Sequence, residues 1–241
     1  MTIKSQTIVM IISTLALSGV ASAQENPWFV DLSINQTDLD TIETLSTSPV
    51  ADVTRSIGID TDDETGFGIS IGRTIFEQNN GNKLSVELNY ANSDHDLEDL
   101  RFMGNSFITA EGNSAGSVEI ETILARLKYE FNAGNFKPYV GLGIGQSDLE
   151  VGIVYGGSVG TSVGTQPPFA TGGDSATAIE ARLGLEYTIT DTIGVFAEYT
   201  TVEVDDIEFS RTGGGPGGLA TTTQSGDYSV DSVNLGIRFH F

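Results

Sequence analysis

The stretch "AIEARLGLEYTI", Ala178–Ile189, alternates without a break. Ile179, Ala181, Leu183, Leu185, Tyr187 and Ile189 take every second position, and Glu180, Arg182, Gly184, Glu186 and Thr188 fill the gaps. Period two places successive side chains on opposite faces of a β-strand. One face is wholly apolar. The other mixes glycine with charges of both signs. A solvated face has no need of glycine. A narrow interior does, because bulky side chains must share it with small ones.

Seven further stretches repeat the pattern: Trp28–Asn35, Gly66–Phe76, Leu84–Tyr90, Thr122–Phe131, Pro138–Gly145, Ile193–Thr200 and Val233–Phe241. Each is roughly as long as the ~9–11 residues with which a tilted strand crosses a bilayer. In Gly66–Phe76, Arg73 interrupts the apolar series, which suits an interface. Short, turn-rich connections ("EQNNGNK", "NAGNFK", "TDT") alternate with long ones at about 37–65, 91–116, 147–175 and 204–228. That alternation predicts an all-β, eight-stranded antiparallel up-and-down transmembrane β-barrel, with long extracellular loops and short periplasmic turns. Both termini then fall on the periplasmic side.

A soluble barrel with its apolar face inward is the rival architecture. The polar faces argue for the membrane form. They carry Gly66, Gly68, Gly72, Gly141, Gly143, Gly145, Gly184, Gly194 and Gly236. They also carry Glu87, Glu130, Glu180, Glu186 and Glu198 beside Arg126, Lys128, Arg182 and Arg238. Lys and Arg number only 11 in the chain. Four of them on one parity predict an ion-pair network across a lumen, formed by Glu87, Arg126, Lys128, Glu180, Arg182, Glu186, Glu198 and Arg238. Trp28, Phe76, Tyr129, Phe131, Tyr187, Phe239 and Phe241 fall at strand ends on the periplasmic side, as an interfacial aromatic girdle would.

Lys4, the apolar run Ile8–Leu17 and the small-residue exit Ala21-Ser22-Ala23 read as a secretory signal over residues 1–23, leaving 24–241 as the barrel domain. Cysteine is absent, which suits an oxidising envelope and removes disulfides and Cys-based metal sites. The net charge of −22 argues against nucleic acid, since too few cations are available for phosphates. The long connections are acidic. "DTDDET" and "DHDLED" offer oxygen ligands, so weak divalent cations are candidate partners there. Neither matches an EF-hand spacing, and no metal site or cofactor is assigned. His95 is expected in a solvated acidic loop, and His240 at the periplasmic end of the lumen. Neither has an obvious nucleophile, so no catalytic residue is assigned.

"KPYVGLGIG", Lys137–Gly145, is similar to the fifth-strand segment of small outer-membrane β-barrel proteins, and "NLGIRFHF", Asn234–Phe241, resembles their C-terminal assembly signal. The resemblance to this OmpA-like, OmpX-like and opacity-like porin superfamily spans the chain from residue 24. It implies a monomer in the outer membrane of a Gram-negative bacterium, in contact with lipid and lipopolysaccharide. It also implies insertion by the outer-membrane assembly machinery, which would read Val233, Leu235, Ile237, Phe239 and Phe241. Glu87, Arg126, Lys128 and Arg182 match the family's lumen plug loosely. The function expected first is structural or surface-interacting, by membrane integrity or loop-mediated adhesion. A small passive channel comes second and a lipid A-modifying enzyme last.

Overall fold

The computed structural model describes residues 28–47, 54–103, 114–155, 170–215 and 218–241. The expected signal segment, 1–23, lies outside them. Ten strands are present and no helix among the described residues: β1 (Trp28–Leu39), β2 (Ile42–Thr47), β3 (Thr54–Thr61), β4 (Glu64–Glu77), β5 (Lys83–Met103), β6 (Ser114–Glu130), β7 (Phe136–Tyr155), β8 (Ala170–Thr190), β9 (Ile193–Gly215) and β10 (Gly218–His240). All pairings are antiparallel, and β1–β10 closes the ring.

The ring holds eight strands both at the Trp28/Phe241 end and farther up, because two of its passes are broken; the β8–β9 ladder is interrupted between Ala178/Val204 and Thr171/Ser210. β1 and β2 are separated by Asp40-Thr41, and β3 and β4 by Asp62-Asp63. Near Trp28 and Phe241 the ring runs β10–β1–β4–β5, and farther up it runs β10–β2–β3–β5. The Thr41 hydroxyl bonds the Asp60 carboxylate across the break. The short connections are tight turns as expected, with Gly81 (φ 82°) and Gly134 (φ 76°) supplying the left-handed residue.

The long connections are corrected. Strands β5 to β10 run 17–23 residues, about twice what a bilayer requires, so most of each expected loop is strand. The barrel is a two-storey tube, and hydropathy inverts between the storeys. On β7, Val140, Leu142 and Ile144 face outward in the lower storey. Higher up, Leu149, Val151 and Ile153 face inward and are buried, while Asp148 and Glu150 are exposed. The same exchange occurs on β6 between Val118/Ile120 inside and Ile123 outside, and on β10 between Val230 inside and Val233 outside. On β9 a bulge at Asp206 (φ 61°) resets the inward phase from Val204 to Ile207 and Phe209. The lower storey is built for lipid. The upper storey is built like a soluble protein, around an apolar core of Leu39, Ile42, Ile59, Val118, Ile120, Leu149, Val151, Ile153, Ile207, Phe209 and their neighbours.

Candidate functional site

The lower lumen is the most highly charged interior of the molecule. Three aromatic rings form its floor plates. Phe29, Tyr139 and Phe196 point inward, each opposite a glycine of the next strand: Gly72, Gly184 and Gly236. A Cβ at any of these glycines would collide with the ring laid over it. At these three positions the glycine makes room for a ring in a narrow tube, while Gly141, Gly143 and Gly194 make room for the charged side chains of Arg182, Glu180 and Glu186.

Cations stack on the rings. Arg238 lies 4.4 Å from the Phe29 centroid and 5.6 Å from that of Phe196. Lys128 lies 4.7 Å from Phe29 and 5.1 Å from Tyr139, and Arg182 lies 5.9 Å from Tyr139. The rings offer their negative faces and leave the donors free for carboxylates.

Arg238 donates through Nε and Nη2 to both oxygens of Asp31, each at 2.6 Å, and through Nη1 to Glu186 at 2.5 Å. Arg182 donates to Glu87 at 2.5 Å and to Glu198 at 3.2 Å. Arg126 pairs with Glu180. Lys128 bridges Glu130 at 3.4 Å and Glu87 at 3.7 Å. Lys137, 3.9 Å from Glu186, and His240, 3.3 Å from it, finish the network at the rim. Every lumen residue expected from the sequence is in this cluster. Asp31 and Glu130 complete it. Glu130 shared the polar parity already noted. Asp31 was missed, although its place between Val30 and Leu32 put it on the inward face of β1.

Above the charges lies a neutral polar layer. Asn89 donates to Ser70 at 2.9 Å, Asn234 to Thr200 at 3.3 Å, and Tyr228 to Ser147 at 2.8 Å. A cavity of about 20 Å³ lies between Asp31, Ser33, Asn89, Arg182 and Asn234, room for about one water. The apolar core of the upper storey closes the tube above. Crossing the lumen therefore means passing a salt-bridged plug and then a packed hydrophobic one.

The expectation for His95 is corrected. It lies on β5, wholly buried, behind the break between the storeys. Nε2 is 3.0 Å from Ser93 Oγ and 3.4 Å from Thr37 Oγ1, and Nδ1 is 3.3 Å from the Asp62 carbonyl. These contacts brace the junction and are out of reach of a substrate.

Outside, the aromatic residues gather at the end that bears Trp28 and Phe241. Trp28, Phe76, Phe131, Tyr187 and Phe239 are exposed, and Tyr129 and Phe241 half-exposed. Tyr129 meets Phe131 edge-on with centroids 4.9 Å apart. Phe136, not expected from parity because it follows a turn, packs on Tyr187 at 4.9 Å. Val233, Leu235 and Ile237 line the outward face of β10, and the Phe241 amide donates to the Trp28 carbonyl at 3.1 Å, carrying the closing seam to the last residue.

An apolar belt outside a closed ring, with charges sealed inside, is a wall made for hydrocarbon. The outer membrane protein beta-barrel domain family matches residues 7–241. The chain belongs to that family. Membership places this outer-membrane barrel in a Gram-negative envelope. Solved structures with the same fold include the outer membrane protease OmpT of Escherichia coli, 8% identical, TM-score 0.54, covering 93% of this chain and 100% of that one. OprG of Pseudomonas aeruginosa is 14% identical, TM-score 0.53, covering 90% and 97%. Neisserial surface protein A is 13% identical, TM-score 0.50, covering 89% and 97%. Identities this low show a shared fold alone. No curated protein matches the chain.

Proposed function

We propose that this outer-membrane barrel is a closed, non-catalytic structural and surface-interaction protein. Its lower storey anchors it as a monomer in the lipid, and its upper storey presents an acidic sheath above the membrane. The observation that carries the reading is the double closure of the lumen, ionic below and apolar above. A passive channel needs a continuous wet path, and the cavity among Asp31, Arg126, Arg182 and Glu198, within the ionic plug itself, has room for about one water.

The same reading has both termini periplasmic, supported by the short turns and the aromatic girdle at the Trp28/Phe241 end. The leader is removed after Ala23, and the assembly machinery reads β10. The fold does not choose an activity, since solved structures that share it run from a surface protein to a protease. A non-catalytic role is supported by His95, whose ring is wholly buried.

Planar-bilayer recording of the refolded barrel tests the reading. Silent bilayers are expected, and stepwise conductance would replace it with the channel. Lipid A from overexpressing cells should keep its mass, and a shifted mass would make the protein an enzyme.

A further inference from the structure

Lys83, Arg126, Lys128, Lys137, Arg182 and Arg238 each have a carboxylate within 4.0 Å. Among the described side chains, Arg73 is the cation that has none. It stands on β4 between Ile71 and Ile75, exposed on the outward wall. In register it faces Trp28 on β1 and Val86 on β5. Its guanidinium carbon lies 5.5 Å from the Trp28 ring centroid. The nearby acid at this end, Glu77, is already paired with Lys83.

A guanidinium on the lipid face is tolerable only near the interface, where its stem covers apolar surface and its head reaches polar groups. Trp28 and Phe76, both in the girdle, put Arg73 at that level. The ring contact holds the guanidinium on one face and leaves its N–H fork open. The anion that the membrane supplies at this depth is the phosphodiester of a lipid headgroup. A planar fork meets two phosphate oxygens at once, which an ammonium cannot do.

We propose that Arg73 and Trp28 form a binding site for the phosphate of an anionic glycerophospholipid. The Arg73 fork donates to two phosphate oxygens, and the indole holds the guanidinium in place. A net-anionic headgroup is favoured because it brings no ammonium of its own to compete. That the ligand is a glycerophospholipid rather than lipopolysaccharide rests on the periplasmic orientation of this end.

The chain contains a single tryptophan, so Trp28 fluorescence reports which lipid lies beside it. The full barrel is refolded into phosphatidylcholine vesicles containing a minor fraction of either brominated phosphatidylglycerol or brominated phosphatidylcholine. Brominated phosphatidylglycerol should quench Trp28 at least about twofold more strongly. Arg73→Gln should equalise the two lipids, and Lys83→Gln should leave the preference intact. Equal quenching in the unaltered chain, or a preference that survives Arg73→Gln, would overturn the proposal. Loss of the preference on adding millimolar inorganic phosphate would assign the site to the free anion and overturn it as a lipid site. The vesicle result does not depend on which way the barrel faces in cells. An error of orientation is therefore detected separately, by labelling the termini on intact cells.

Discussion

Replacing Arg238 with methionine tests the lumen network at its tightest point. Methionine keeps apolar bulk against Phe29 and Phe196 and deletes the charge. Glu186 keeps Lys137 at 3.9 Å and His240 at 3.3 Å. Asp31 loses both of its 2.6 Å bonds, and Arg238 is its one ion-pair partner among the described residues. The penalty is therefore mainly one stranded, buried carboxylate, about 3–5 kcal/mol. Adding Asp31→Asn removes that charge and should restore roughly 1.5–3 kcal/mol of the loss, a coupling typical of contacting residues. Urea unfolding in lipid vesicles, followed by the fluorescence of Trp28 at the start of β1, measures both. A single-variant loss below about 1 kcal/mol would mean a wet lumen. Strict additivity in the double variant would mean that the pair does not exist.

Leu149→Ala, in the core of the upper storey, should destabilise that storey by about 2–5 kcal/mol, whereas Glu150→Ala beside it should be near neutral; protease resistance of the extramembrane half reads both. Burial, then the neighbouring charges of Asp63, Asp40 and Asp231, raise the Asp38 carboxyl above its ordinary range. A raised carboxyl holds its proton more readily folded than unfolded, so its charge subtracts stability at neutral pH. Asp38→Asn should therefore stabilise the barrel at pH 7, with the gain fading as acidification passes through the raised value; equal gains at all pH values would refute this. Deleting Phe241 should reduce insertion in cells while folding in vitro persists, because the other pairs of the β1–β10 seam remain; failure to fold in vitro would make the residue structural. The closed ring should also resist SDS until boiled, giving different gel mobilities for boiled and unboiled samples.

The lower storey was legible because one rule holds throughout it: apolar out, polar in, period two. That rule located the eight passes, the girdle and the charged parity, since Glu180, Arg182 and Glu186 alternate with residues that must meet lipid. The upper storey was missed because the rule reverses. "DLEVGIVY" continues the alternation of "VGLGIG", but its apolar phase moves from Val140, Leu142 and Ile144 to Leu149, Val151 and Ile153. A phase change looks like the end of a strand when the solvent is assumed constant. Here the strand continues, and the solvent outside it changes from hydrocarbon to water. His95 follows the same logic. Its acidic neighbours, Asp94 and Asp96, belong to the outer face of β5, so a polar-looking segment concealed a buried side chain. Asp31 shows the converse: its parity was visible, but one acid in a short strand gave no sign of the arginine on β10 that holds it.

The absence of native cysteine makes the two-storey wall directly measurable. Single cysteines are introduced along β7 at Val140, Leu142, Ile144, Asp148, Leu149, Glu150 and Val151, and each variant is refolded into lipid vesicles and exposed to a membrane-impermeant maleimide. Asp148→Cys and Glu150→Cys should label fast. Val140→Cys, Leu142→Cys and Ile144→Cys should be protected by lipid, and Leu149→Cys and Val151→Cys by the packed core. Fast labelling at Leu149→Cys and Val151→Cys would mean a water-filled upper lumen and would contradict the closed barrel.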